Sequence, residues 1–71
     1  MFTLHPRARQ VGKRQSWQAL IILRNPKGQC ISYQAGKARY HSPITAGDYA
    51  FWAAQAAIET MAQQGIEARL A

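Results

Sequence analysis

Apolar and polar positions alternate along short stretches in the first half of the chain, and this alternation predicts β-strands. The first stretch, 17–24, is apolar on both sides of an extended chain, which is typical of a strand covered on both faces or contacted by a partner. Its apolar members are Ala19, Ile21 and Leu23 on one side, with Leu20 and Ile22 on the other.

Two turn signals follow this stretch. Asn25, Pro26 and Gly28 occupy positions that these residues favour in a type I turn. The next alternating segment, 29–34, places Ile31 and Tyr33 on one side, and a tight turn at 35–36 leads to a third, 37–41. The pattern therefore predicts a three-stranded antiparallel meander.

The period changes after Pro43, where an alanine-rich segment predicts one helix over 46–64. Thr45 is the predicted N-cap, and Gly65 is the predicted left-handed residue that ends the helix. Alternation over 66–70 predicts a short last strand. The predicted buried stripe of the helix consists of Ala50, Phe51, Ala54, Ala57, Ile58 and Met61.

These elements predict a two-layer α+β fold in the order β-β-β-α-β, with a three- or four-stranded, mainly antiparallel sheet packed on one helix. Residues 1–16 are expected to form a flexible basic arm, because 5–16 combine charge, Pro, Gly and Ser with little apolar content. A short edge strand over 1–4 is an alternative for the start of this segment. Residues 17–71 form the single small domain. Side chains facing the helix would be Ala19, Ile21, Leu23, Ile31, Tyr33, Ala38 and Tyr40, leaving Arg24, Lys37, Arg39, His41, Leu20 and Ile22 on the opposite face.

Positive and negative residues are distributed very unevenly along the 71-residue chain. Eight of its nine lysines and arginines lie in the first 41 residues, which contain no acid, while all three acidic residues lie in the remainder. The net charge of the whole chain is +6. A surface with this much positive charge suits a polyanion or an acidic protein surface as partner.

Several classes of function and location are disfavoured. Asp48 and Glu59 stand about 16 Å apart on the predicted helix, too far to act as a catalytic pair, and we expect no enzyme. The histidines and the single cysteine, Cys30, are too widely spaced for a metal site, and the glycines form no phosphate-binding pattern, so no metal or cofactor is expected. The lone thiol and the lack of a signal sequence or long apolar run favour a cytoplasmic protein without membrane association.

The basic residues provide the strongest functional hypothesis, a small non-enzymatic nucleic-acid-binding protein with DNA favoured over RNA. An N-terminal arm would contact phosphates while a basic sheet face docks. The candidate nucleic-acid-binding residues are Arg7, Arg9, Lys13 and Arg14 on the arm, and Arg24, Lys27, Lys37 and Arg39 on the docked surface.

An alternative function is a protein-interaction module, such as a small modulator of the kind phages use against host proteins, or an obligate homodimer. It would dock through strand 17–23 and through Trp52, which falls on the polar side of the predicted helix. Tryptophan and tyrosine are enriched at interface hot spots. The candidate interface residues are Trp52, Tyr49, Leu20 and Ile22.

Overall fold

The computed structural model describes residues 1–12 and 15–71. Within these residues, four strands and one helix form an α+β domain in the predicted order β-β-β-α-β. The elements are β1 (Phe2–Gln10), β2 (Trp17–Arg24), β3 (Cys30–Ala35), α1 (Pro43–Gln63) and β4 (Ala68–Leu70).

The strands form one mixed sheet in the spatial order β3-β2-β1-β4. β1 pairs antiparallel with the whole of β2, from Thr3 opposite Arg24 to Gln10 opposite Trp17. β4 adds in parallel to β1 over only three residues and ends opposite Leu4. Beyond Leu4, β4 therefore no longer pairs with β1. Pro6 lies on this part of the strand, where its missing backbone N–H removes no hydrogen bond to β4.

The strands that make up this order differ from those predicted. Phe2–Gln10 is a full strand of the sheet, so the prediction of an arm over 1–16 is wrong for this segment. Residues 37–41 do not form a strand, since only Tyr40 makes an isolated bridge, to Trp17. β1 takes the edge of β2 that the predicted meander would leave open.

The β2–β3 turn forms at the predicted position. Gly28 N donates to Asn25 O at 2.9 Å, which is the hydrogen bond of a four-residue turn. The side chain of Asn25 adds a second support, because its Oδ1 accepts from the backbone N–H groups of Lys27 and Gln29. Gly28 has a φ of +83°, the left-handed conformation that closes such a hairpin.

A β-bulge follows this turn. Arg24 pairs with Cys30, whereas Leu23 pairs with Ser32, so Ile31 is an extra residue in β3. The bulge shifts the pairing of the rest of β3 by one residue. A shift of one residue moves every later side chain of that strand to the other face of the sheet.

The bulge reverses the predicted orientation of Tyr33. Without the extra residue, the hairpin register would place Tyr33 opposite Ile21, on the helix side of the sheet. The observed partner of Tyr33 is Ile22, on the opposite side. The prediction that Tyr33 faces the helix is therefore wrong.

The helix begins earlier than predicted and ends where predicted. Ser42, not Thr45, is the N-cap, because its side chain accepts a hydrogen bond from Ile44 N while Pro43 opens the helix. At the other end Gly65 has a φ of +78°. Ile66 N donates to Met61 O at 2.9 Å, which completes a Schellman ending.

Small residues bring α1 close to the sheet. Ala46, Ala50 and Ala54 have no exposed surface, and they lie one turn apart on the helix side that packs on the sheet. Phe51, predicted to be buried, is exposed. Among residues 1–12 and 15–71, α1 packs on β1, β2 and β4 but not on β3, so the core lies under the middle of the sheet.

Candidate nucleic-acid interface

The sheet has one face turned away from α1, and we call it the open face. Ala19, Ile21 and Leu23 line the gaps between sheet and helix, so the alternate residues of β2 point the other way. The pairing register extends this assignment to the other strands. The open face comprises Thr3, His5, Arg7 and Arg9 of β1, Gln18, Leu20, Ile22 and Arg24 of β2, Tyr33 and Ala35 of β3, and Arg69 of β4.

Four arginines share the open face. Arg7 and Arg9 lie two residues apart on β1, about 7 Å along the strand. Arg24 and Arg69 are both partners of Thr3, one from each neighbouring strand. Arg69 was not among the predicted binding residues, although the alternation of Ala68 and Leu70 with it could have indicated its side of the sheet.

Arg9 is held in place by two strands at once. Its guanidinium donates through Nη1 to the Tyr33 hydroxyl at 2.7 Å and through Nη2 to Gln18 Oε1. Gln18 in turn donates from Nε2 to the carbonyl of Gly36 at 2.7 Å. This chain of hydrogen bonds crosses β1, β2 and the end of β3, and it orders the cationic side chain before any ligand arrives.

The hydrogen bonds that Arg7 and Arg24 donate also have neutral oxygen atoms as acceptors. Arg7 Nη1 donates to the carbonyl of Pro6 at 2.8 Å, and Arg24 Nη1 donates to the carbonyl of Gly28 at 2.9 Å. A neutral acceptor leaves the positive charge of a guanidinium uncompensated. Of the three acids, Asp48 and Glu59 lie on the helix and Glu67 precedes β4. Glu59 lines one cavity together with Arg69, so Arg69 is the arginine of this face that has an acid nearby.

His5 lies on the same face, close to two of these guanidinium groups. Partial burial, together with the guanidinium groups of Arg7 and Arg24, lowers the pKa of His5 below its ordinary value of 6.5. Nε2 of His5 is also hydrogen-bonded to Thr3 Oγ1 at 3.1 Å. The imidazole therefore stays neutral to lower pH than a free histidine.

The centre of the open face is apolar, as predicted. Leu20 and Ile22 lie between the cations of β1 and the side chains of β3. Leu20 is only 5% exposed, although it lies on the side of the sheet that has no helix. Its neighbours on this face therefore cover it, and the surface is filled rather than grooved.

The remaining predicted cations lie elsewhere. Lys27 is in the β2–β3 turn, while Lys37 and Arg39 are exposed on the connection between β3 and α1. Arg39 donates to the carbonyl of Lys37 within that connection. Lys13 and Arg14 lie outside the described residues. The predicted set thus divides into a group on the open face and a group beyond its edge.

The residues of the predicted protein interface are also separated. β2 is an inner strand, flanked by β1 and β3, so strand 17–23 offers no free edge for docking. Leu20 and Ile22 belong to the open face, whereas Trp52 is 61% exposed on the helix. Trp52 meets the ring of Tyr49 edge-on, and Tyr49 stacks on Tyr40 with centroids 4.9 Å apart.

Other kinds of site receive no support within residues 1–12 and 15–71. No group of three His, Cys, Asp or Glu side chains converges there in a way that could hold a metal ion. In the same residues, α1 lacks the apolar length needed to span a membrane. The chain matches no protein-family model, no curated protein and no solved structure.

Proposed function

We propose that this chain is a small, non-enzymatic nucleic-acid-binding protein that holds the phosphate backbone on its open face. The observation that carries the proposal is the presence of Arg7, Arg9, Arg24 and Arg69 on one side of the sheet. Charges of one sign on one surface attract a polyanion and orient it.

The chemistry of these side chains suits phosphate. A guanidinium has more N–H donors than the observed internal bonds use, so Arg7, Arg9 and Arg24 can each still donate to phosphate oxygens. Because Arg9 is already ordered by its bonds to Tyr33 and Gln18, it loses little side-chain freedom on binding. Phosphate contacts of this kind position a polynucleotide without reading its sequence.

The decisive experiment measures oligonucleotide affinity by fluorescence anisotropy over a range of salt concentrations. We expect log K to fall linearly with log salt, by about 0.9 per phosphate contact on duplex DNA and about 0.7 on a single strand. Arg7→Ala and Arg24→Ala should each weaken binding and reduce this slope by about one contact. Arg9 is a poorer test position because it also links two strands.

Arg39→Ala is the matched control, since it removes the same charge from the connection outside the open face. It should change affinity and slope less than Arg7→Ala does. Equal losses for the two variants would mean that net charge alone drives binding, and the proposal would fail. Absence of measurable binding at low salt would also refute it.

A second candidate function is docking on another protein through the aromatic cluster of Tyr40, Tyr49 and Trp52. The exposure of Trp52 supports this candidate, because large aromatic side chains at the surface often anchor interfaces. Trp52→Ala should abolish self-association, or the recovery of a bound partner, while leaving oligonucleotide binding intact. Sedimentation and co-purification of the two forms would test it.

A further inference from the structure

The side chain of Tyr33 extends along the open face instead of standing up from it. Tyr33 is paired with Ile22, whereas its hydroxyl bonds to Arg9, the partner of Gln18. Ile22 and Gln18 are four residues apart on β2, about 13 Å along the strand. The side chains of Tyr33 and Arg9 must therefore together bridge the intervening row, which contains the nearly buried Leu20.

This position gives Tyr33 the properties of a stacking platform. Its side chain is 52% exposed, although its hydroxyl is anchored at 2.7 Å. The guanidinium carbon of Arg9 lies 5.7 Å from the centroid of the ring. An aromatic ring that is fixed at its tip, exposed, and next to a cation is suited to stack on a flat, electron-rich ligand beside an anion.

The side chains proposed to bind phosphate lie on β1, across β2 from this ring. β1, with Arg7, Arg9 and His5, is two strands away from β3, about 10 Å across the sheet. A nucleotide places its base and its phosphate on opposite sides of its sugar. A chain whose phosphates follow β1 would therefore project its bases over Leu20 and Ile22 toward Tyr33.

From this arrangement we infer that the open face binds single-stranded nucleic acid, with an unpaired base stacked on Tyr33 and phosphates along Arg7 and Arg9. The inference rests on the proposed function and specifies its ligand. In a duplex, the bases are stacked on one another and cannot lie on a protein ring. An acidic peptide would use the arginines but gain little from the ring.

The test compares labelled oligomers of about ten units, within the range that small single-strand-binding surfaces cover. One is oligothymidylate, and the other is an abasic sugar–phosphate chain with the same charge. We expect oligothymidylate to bind at least about fivefold more tightly, as stacking of one base provides. Tyr33→Leu should remove this preference, whereas Tyr33→Phe, which retains the ring, should keep it.

Tyr49→Leu is the matched control, because Tyr49 is an exposed tyrosine on the helix and not on the open face. It should leave the preference unchanged. Circular dichroism of each variant establishes that the fold is intact, and Tyr33→Phe provides the ring-retaining comparison if the leucine variant unfolds.

The outcomes separate the two proposals. If both oligomers bind equally and Tyr33→Leu has no effect on their ratio, base stacking is refuted while phosphate binding stands. If neither oligomer binds at low salt, both proposals fail. Displacement of oligothymidylate by poly-glutamate of equal charge at the same concentration would identify an acidic peptide as the ligand class and overturn the inference.

Discussion

Arg9 and Gln18 are cross-strand partners whose side chains are bonded to each other, Arg9 Nη2 donating to Gln18 Oε1. Gln18 is 7% exposed, and its amide nitrogen donates to the carbonyl of Gly36. A buried amide with both ends satisfied contributes to stability and fixes the arginine beside it. The pair therefore connects the folding of the sheet to the geometry of the candidate site.

Replacing this amide should be costly. We expect Gln18→Ala to lower the free energy of unfolding by about 1–3 kcal/mol, because the substitution leaves buried hydrogen-bonding groups without partners. Urea denaturation measures the change. Gln34→Ala, at an exposed position of β3, is the control and should change stability by less than about 0.5 kcal/mol. Similar losses for both variants would contradict a special role for Gln18.

His5 should make stability depend on pH. Its folded-state pKa is below the unfolded value of 6.5, so below that pH the unfolded chain binds a proton before the folded one does. Its contribution to stability is therefore complete above pH 6.5 and is lost as the pH falls toward the folded pKa. Thermal denaturation between pH 7.5 and 5 should show a decline that His5→Gln reduces and His41→Gln, on the β3–α1 connection, does not.

The same histidine should couple proton uptake to ligand binding. A bound phosphate would neutralise the potential from Arg7 and Arg24, which now disfavours the imidazolium. Affinity for an oligonucleotide should therefore rise as the pH falls below about 6.5. His5→Gln should flatten this dependence. An unchanged pH profile in that variant would place the ligand away from His5.

Two glycines in and after α1 should respond in opposite directions to replacement by alanine. Gly47 lies within the helix and a Cβ there meets nothing within 4 Å, so Gly47→Ala should stabilise the protein by about 0.5–1 kcal/mol. Gly65 has a φ of +78°, and Gly65→Ala should destabilise it by about 1–2 kcal/mol. For a domain of this size, each kcal/mol corresponds to about 4–8 °C in Tm. A Gly65→Ala variant that is no less stable than the parent would contradict the Schellman ending.

The close approach of helix and sheet depends on small side chains. Ala50 has no exposed surface, so Ala50→Leu should force α1 away from the sheet and cost about 1–3 kcal/mol. Ala56→Leu places the same side chain on an exposed helix position and should be nearly neutral. Thermal denaturation of the two variants measures the difference, and equal stabilities would show that the helix does not pack through this alanine.

Local signals were sufficient to predict the fold class, the hairpin turn and the end of the helix. Asn25 and Gly28 specify the turn by their own conformational preferences, and Gly65 does the same for the helix end. β1 was missed because its helix-facing positions include Pro6 and Ala8, which give little apolar contrast with the arginines between them. Its identity as a strand depends on pairing with β2.

The candidate site could be predicted only in part. A basic sheet face with Arg24 and an apolar centre follows from the alternation in β2, and the structure shows this arrangement. Arg69 and the ordering of Arg9 depend on which strands become neighbours. The position of Tyr33 depends on an extra residue in β3, and the alternation in 29–34 does not indicate where that residue lies.

The register of β3 has a consequence for how the binding chemistry could change over evolutionary time. Deleting the codon for Ile31 would remove the bulge and leave Tyr33 opposite Ile22, because Ser32 already pairs with Leu23. Inserting one codon between Ser32 and Tyr33 would instead place Tyr33 opposite Ile21 and rotate its phenol to the underside of the sheet, toward the helix. The arginines of β1 would keep their places. One in-frame insertion would thus separate charge recognition from aromatic recognition, leaving a surface that still attracts anions but has lost its tyrosine.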